Sequence, residues 1–156
     1  MSPGARPGEA ALRERPASPD RRDLLLAIWP DTPAGGEALA ERFYTRLFVL
    51  APEVHRLFAA TDMAAQRRKL AEMLRWMVAS LDAPDALVPG TAALARRHVR
   101  YGVHDHDYDA VGEALRDALA GTLGDRFTPE VREAWAEAYA LLAGVMRRAA
   151  SRGGAA

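Results

Sequence analysis

Cysteine is absent from the 156 residues, which excludes disulfides, thiolate catalysis, iron–sulfur clusters and thiolate-ligated or covalently attached haem. The formal net charge is zero, because 21 basic residues balance 21 acidic ones. Nucleic acid and anionic membrane surfaces both require a basic field, so we expect neither as a partner. The longest aliphatic run, residues 24–29, is too short to span a bilayer, and no signal-peptide pattern opens the chain. These absences together predict a cytoplasmic protein.

Hydrophobic residues make up 49% of the chain and charged residues 27%, which is typical of a single globular domain. Residues 1–19 contain four prolines and no apolar period, so we expect a disordered N-terminal arm. The folded domain is predicted over residues 20–150, and a frayed tail over residues 151–156.

Apolar residues recur at helical spacing and nowhere alternate with period two for long enough to form a sheet, which predicts an all-α fold. Pro89 and Gly90 predict a loop, whereas Gly102 and Gly124 predict helix ends. The predicted helices span residues 24–29, 32–50, 61 or 62 to 81, 92–100, 105 or 107 to 123, and 128–150, with a short helical turn after Pro52. Thr61 or Asp62 would cap the third of these helices, and Asp105 or Asp107 would start the fifth.

Three polar residues lie in or beside apolar stripes: Tyr44, Gln66 and His98. Leu94, His98 and Tyr101 share one predicted helix face. Taken singly, His98 is either a buried neutral imidazole paired with a carbonyl group or a ligand of iron. Likewise, Tyr44 is either a rim residue or a pocket donor, and Gln66 lies either at the wet end of its helix or in the same pocket.

Taken together, these residues allow one pocket, because His98 lies on a different predicted helix from Tyr44 and Gln66. Packing would place the imidazole on one side and the two hydrogen-bond donors on the other. Phe43, Phe58 and Leu70 supply an apolar lining. Such a pocket suits a haem that binds dioxygen, since the bound gas takes on negative charge that donors stabilise.

The chain resembles the globin domain of bacterial flavohaemoglobins and their free-standing relatives. The resemblance covers roughly residues 37–146, and its segments occur in family order. These segments are FYTRLF (43–48), APEVHRLF (51–58), MAAQRRKLAEML (63–74), RRHVRYGV (96–103), YDAVGEAL (108–115) and FTPEVREAWAEAYALLAGVM (127–146).

The resemblance implies a three-over-three globin sandwich around b-type haem, with dioxygen, nitric oxide and carbon monoxide as ligands. His98 would be the proximal iron ligand. The other histidines, His55, His104 and His106, lie in turn-like or helix-start positions, so we expect them on the surface. The other roles that it implies are the distal tyrosine (Tyr44), the distal glutamine and leucine (Gln66 and Leu70), the phenylalanine at the haem edge (Phe58), a propionate partner (Lys69) and the proximal tyrosine (Tyr108).

The sequence departs from the family pattern in two places. The last helix lacks the glutamate that joins Tyr108 in hydrogen bonds around the proximal histidine, which argues against strong proximal electron donation. The chain also contains no Gly-rich dinucleotide motif, so we expect electrons to come from a separate reductase.

Three functions follow from this interpretation. The first is reversible gas binding, with oxidation of nitric oxide to nitrate as an associated activity. The second is a haem-based gas or redox sensor that signals through a partner, and the third is a haem-free helical interaction module. Zero net charge is compatible with either a monomer or a homodimer.

Overall fold

A computed structural model describes residues 21–30 and 33–153 of the chain. Within these residues all regular secondary structure is helical, and no strand occurs. The α-helices are α1 (Arg21–Ile28), α2 (Pro33–Leu50), α3 (Met63–Ala79), α4 (Pro84–Arg100), α5 (Asp107–Leu123) and α6 (Pro129–Gly153). Two 3₁₀ segments, Pro52–Phe58 and Gly124–Arg126, connect them. The predicted arm (1–19) and the Thr32 cap lie outside the described residues.

The helices form two layers of three, with α1, α3 and α4 over α2, α5 and α6. Across the layers α3 packs on α2, and both α4 and α1 pack on α6. Within the second layer α2 packs on α5. The core between them is almost entirely aliphatic and aromatic, and the rings of Trp29 and Trp135 lie 5.8 Å apart in it. The predicted all-α, three-over-three architecture is confirmed.

Several helix ends are fixed by the residues that the sequence indicated. The Asp62 side chain accepts hydrogen bonds from the backbone N–H groups of Ala64 and Ala65, at 3.1 and 3.3 Å, and thereby caps α3. Thr128 Oγ1 accepts from the Val131 N–H at 3.3 Å at the start of α6. Gly124, with φ of +56°, ends α5.

The predicted loop at Pro89 and Gly90 is wrong, because α4 begins at Pro84 and runs through both residues. The indole of Trp76, on α3, covers Gly90 so closely that a Cβ atom there would lie 2.4 Å from Trp76 Cη2. The missing side chain therefore allows α3 and α4 to approach each other. Pro89 leaves one carbonyl of the preceding turn without its helical donor, but tertiary packing holds the helix together.

The C-terminal end of α4 is closed by a Schellman motif. Gly102 has φ of +90°, its N–H donates to the Val99 carbonyl at 3.0 Å, and the Val103 N–H donates to the His98 carbonyl at 3.1 Å. The predicted terminator at Gly102 is confirmed. The His98 carbonyl group is thus fixed by a hydrogen bond from Val103, the second residue after the end of the helix cap.

One further expectation needs correction. Tyr101 is 64% exposed and does not belong to the buried stripe of α4, because it lies at the helix end; Leu87, Thr91 and Ala95 form the buried face instead. The last helix is described to Gly153, and the frayed tail over residues 151–156 stays a prediction. None of the described helices combines the length and apolar character needed to cross a membrane.

Candidate functional site

His98 lies in the last turn of α4 and is half-buried. Its Nδ1 is 2.8 Å from the Leu94 carbonyl oxygen, one helical turn earlier. Because a carbonyl oxygen only accepts hydrogen bonds, Nδ1 must carry the proton in this arrangement. Nε2 then keeps its lone pair, which is the form of imidazole that ligates a metal.

The surroundings of His98 favour the neutral ring. Burial lowers the pKa of His98, and the nearby positive charge of Arg97 lowers it further, whereas the bond to Leu94 opposes the shift. The orientation and the protonation state of the imidazole therefore both fit an axial ligand of haem iron.

Tyr44, on α2, and Gln66, on α3, form a direct hydrogen bond. Gln66 Nε2 donates to Tyr44 Oη at 3.0 Å, so the tyrosine acts as the acceptor and its own O–H remains available to donate. Burial raises the pKa of Tyr44, which keeps the phenol protonated, although the Gln66 bond partly opposes this shift. The structure thus joins two of the three polar residues that the sequence singled out.

Aromatic rings enclose the Tyr44 phenol. The ring centroids of Phe43, Phe48 and Phe58 lie 4.9, 5.9 and 5.3 Å from that of Tyr44. Leu70 is partly buried against the same core. The Tyr44 hydroxyl therefore lies in an apolar, mainly aromatic environment, with the Gln66 amide as its hydrogen-bond partner.

Lys69 differs from these residues because its side chain is exposed on α3. In the part of the chain that the structure describes, no ion pair engages it, so its amino group is available to an anionic group such as a haem propionate. The expected surface positions of His55, His104 and His106 are confirmed, since all three are exposed.

Tyr108 is buried near the start of α5, where it packs with Ala95 and Met146. Its backbone carbonyl accepts a hydrogen bond from the Tyr139 hydroxyl. The Arg147 guanidinium lies 5.5 Å from the centre of its ring. Burial raises the pKa of Tyr108, and the positive charge of Arg147 opposes that shift.

Arg147 was missed by sequence reasoning, which looked for a glutamate beside Tyr108. The sequence does contain an indication of a cation at this place, because Asp105 and Asp109 flank Tyr108 and their negative charges would attract one. Arg147 Nη2 donates to Asp109 Oδ1 at 3.2 Å, and its Nε lies 3.1 Å from Asp105 Oδ1. Among the described residues, no carboxylate bonds to the Tyr108 hydroxyl.

The globin family model matches residues 41–146, which is most of the described chain. The chain belongs to the globin family. Curated relatives of this globin include flavohemoproteins from Deinococcus radiodurans, 35% identical over 131 residues, and Rhodopirellula baltica, 35% identical over 124 residues. These alignments cover 83% and 78% of the chain. The family expected from the sequence is confirmed.

Solved structures agree with this assignment. The globin superposes with a TM-score of 0.76 on RmaNOD, a proposed nitric oxide dioxygenase from Rhodothermus marinus engineered into a carbene transferase. That match has 32% identity and covers 88% of this chain and 96% of the other. A flavohemoglobin from Malassezia yamatoensis, solved with bound FAD and heme, gives a TM-score of 0.72 at 25% identity, covering 86% of this chain and 37% of that protein.

The globin spans only part of its curated relatives. The aligned region makes up 32% of the Deinococcus radiodurans protein and 30% of the Rhodopirellula baltica protein. An activity of the whole flavohemoproteins is therefore only a proposal for this chain.

Proposed function

We propose that this globin holds haem b through His98 and reversibly binds dioxygen, nitric oxide and carbon monoxide. The observation that carries the proposal is the Gln66–Tyr44 hydrogen bond, because its direction leaves a buried tyrosine hydroxyl free to donate. A buried donor without an acceptor costs about 1–3 kcal/mol, so a polar ligand at this place would be stabilised.

Each residue has a role that follows from its geometry. His98 would present Nε2 to the iron, while Leu94 keeps the ring oriented through Nδ1. Tyr44 would donate to the gas ligand, and Gln66 would hold the phenol in place. Phe43, Phe58 and Leu70 would exclude water from the haem, and Lys69 would pair with a propionate.

We further propose oxidation of nitric oxide to nitrate as the catalytic activity. Haem iron, when bound, supplies the dioxygen binding and the electron transfer. The reaction consumes one nitric oxide, one dioxygen and one electron per nitrate, and the electron would come from a separate reductase in the cytoplasm. The flavohemoprotein relatives and the RmaNOD neighbour support this choice of reaction.

The visible absorption spectrum tests the proposal. Purified protein supplied with haem should give a Soret band, a five-coordinate spectrum when reduced, and a stable new spectrum on exposure to dioxygen. His98→Ala should lose ordered haem binding. His104→Ala is the matched control, because that exposed histidine stacks on His106 and not on the rings around Tyr44, and it should bind haem normally.

Three outcomes would count against the proposal. Absence of a Soret band in the parent protein would favour the haem-free module, and normal iron ligation in His98→Ala would remove His98 from its role. A reduced protein that is six-coordinate before gas is added would show that a side chain fills the gas position, and would favour the sensor over gas binding.

A further inference from the structure

Three of the four histidines of the chain are exposed, and the haem proposal uses none of them. Two of them, His104 and His106, stack with their ring centroids 5.5 Å apart in the connection between α4 and α5. Glu53, on the 3₁₀ segment after α2, approaches the same connection. One ligand atom each from Glu53, His106 and Asp107 lies within 4.8 Å of the other two.

Asp107 is the fixed member of this group, since its side chain is only 5% exposed. Its Oδ2 accepts a hydrogen bond from the His104 N–H at 2.8 Å. Its Oδ1 lies 3.3 Å from His106 Nε2, and the His106 side chain is 71% exposed. The buried carboxylate therefore has Oδ1 beside an imidazole nitrogen, and one of its oxygens lies within 4.8 Å of a Glu53 carboxylate oxygen.

The charges around the group are not balanced by the protein. The neighbouring acids Asp105 and Asp109 share one cation, Arg147, and both carboxylates are largely exposed to water. In contrast, no lysine or arginine in residues 21–30 or 33–153 forms an ion pair with Glu53 or Asp107. Two carboxylates and an imidazole nitrogen, all electron-pair donors, converge without a lysine or arginine among them, so a cation placed between them would be stabilised.

We propose that Glu53, His106 and Asp107 bind a divalent transition-metal ion, for which Zn²⁺ is the natural probe. Imidazole with carboxylates is a ligand set that suits Zn²⁺ and related ions. Bonds of about 2.0–2.2 Å place two ligand atoms of one ion at most about 4.4 Å apart. The ligand atoms lie within 4.8 Å of one another, slightly above that limit. Glu53 and His106 are exposed side chains, so small rotations can bring their ligand atoms within reach of one ion. Water would complete the coordination.

Such an ion would tie the 3₁₀ segment Pro52–Phe58 to the corner that follows His98. The two segments are already neighbours, because a Cβ atom on Gly102 would lie 3.6 Å from Leu57 Cδ2. The metal would therefore stabilise this corner against opening. The proposal does not rest on the proposed function, and it holds whether or not the globin binds gas.

Equilibrium dialysis of the full chain, supplied with haem, against Zn²⁺ tests the site, with thermal unfolding measured alongside. We expect one Zn²⁺ per chain and a higher unfolding temperature with the ion. His106→Ala and Glu53→Gln should each weaken binding at least about tenfold, since even outer partners of metal sites cost that much. The matched controls, His55→Ala and Asp105→Asn, remove a nearby imidazole and a nearby carboxylate outside the ligand set, and should bind Zn²⁺ like the parent.

Two results would overturn the proposal. Failure to bind Zn²⁺ at millimolar concentration would mean that a proton alone balances the group. Binding that survives both His106→Ala and Glu53→Gln would place the ion elsewhere. Both variants alter exposed side chains, so their folding is secure, and circular dichroism verifies it.

Discussion

The guanidinium group of Arg147 lies over the ring of Tyr108, with its central carbon 5.5 Å from the ring centroid. The same group contacts Asp109 at 3.2 Å and Asp105 at 3.1 Å. One side chain of α6 therefore holds both the tyrosine and the acidic start of α5. The family resemblance implies a glutamate beside this tyrosine, and the structure places a cation there instead.

Arg147→Met should lower the free energy of unfolding by about 1 kcal/mol, because it removes the cation–π contact and two partly exposed ion pairs but keeps the aliphatic packing. Urea denaturation measures this difference, and added salt should reduce it. Arg148→Met is the matched control, since Arg148 is the exposed neighbour without an ion pair in the described chain. Equal losses in both variants would show that the contacts around Tyr108 contribute nothing specific.

Tyr44→Phe should speed dioxygen release, because it removes the hydroxyl that we propose donates to the ligand. Hydrogen bonds to charged groups contribute about 1.5–3 kcal/mol, which corresponds to about 10- to 150-fold in rate. Stopped-flow displacement by carbon monoxide measures the rate. Tyr101→Phe makes the same chemical change at an exposed tyrosine beside His98 and should leave the rate unchanged.

Gln66→Leu should also speed dioxygen release, but by less than Tyr44→Phe, because it removes the group that orients the phenol. The double variant should resemble Tyr44→Phe alone, since residues joined by a hydrogen bond do not contribute independently. The same kinetic assay completes the double-mutant cycle. Additive effects on the logarithm of the rate would mean that Gln66 acts on the ligand directly.

The haem-free protein should lose stability as the pH falls below about 6.5, the ordinary pKa of histidine. Burial lowers the pKa of His98 in the folded state, so the unfolded chain takes up the proton first, and acid favours unfolding down to the folded-state pKa. His98→Leu should remove this part of the pH dependence in urea titrations. His55→Leu should retain it, and an unchanged slope in His98→Leu would refute the assignment.

Gly90→Ala should destabilise the globin, although alanine normally stabilises a helix interior by about 0.5–1 kcal/mol relative to glycine. The reason is the Trp76 ring, which occupies the space that the new methyl group needs. In a Trp76→Ala background the same substitution should become stabilising. Thermal unfolding of the four proteins measures this reversal, and stabilisation in both backgrounds would exclude the steric explanation.

The sequence predicted those features that local chemistry determines. Asp62, Thr128 and Gly124 mark helix ends because caps and left-handed glycines act on their immediate neighbours. Pro89 and Gly90 predicted a loop because proline and glycine have the lowest helix propensities. The contact that overrides those preferences comes from Trp76, fourteen residues earlier, and no local pattern shows it.

The candidate site likewise has residues that the sequence could indicate and contacts that only the structure shows. Tyr44, Gln66 and His98 could be singled out because polar groups in apolar stripes are conspicuous, and the family resemblance gave them roles. The direction of the Gln66–Tyr44 bond required coordinates, since either residue can donate to the other. Asp105 and Asp109 indicated a cation beside Tyr108, but its identity as Arg147 depends on how α6 lies across α5.

The Schellman motif at the end of α4 affects where this globin can tolerate changes of chain length. Because the hydrogen bonds of the Schellman motif finish at Val103, the position of His98 is set before the chain enters the connection to α5. An insertion directly after Val103 would therefore leave the hydrogen bonds that follow His98 intact, whereas loss of His104 or Asp105 would remove contacts of Asp107 and Arg147. The point just after Val103 is where chain length can vary while His98 keeps its position on α4.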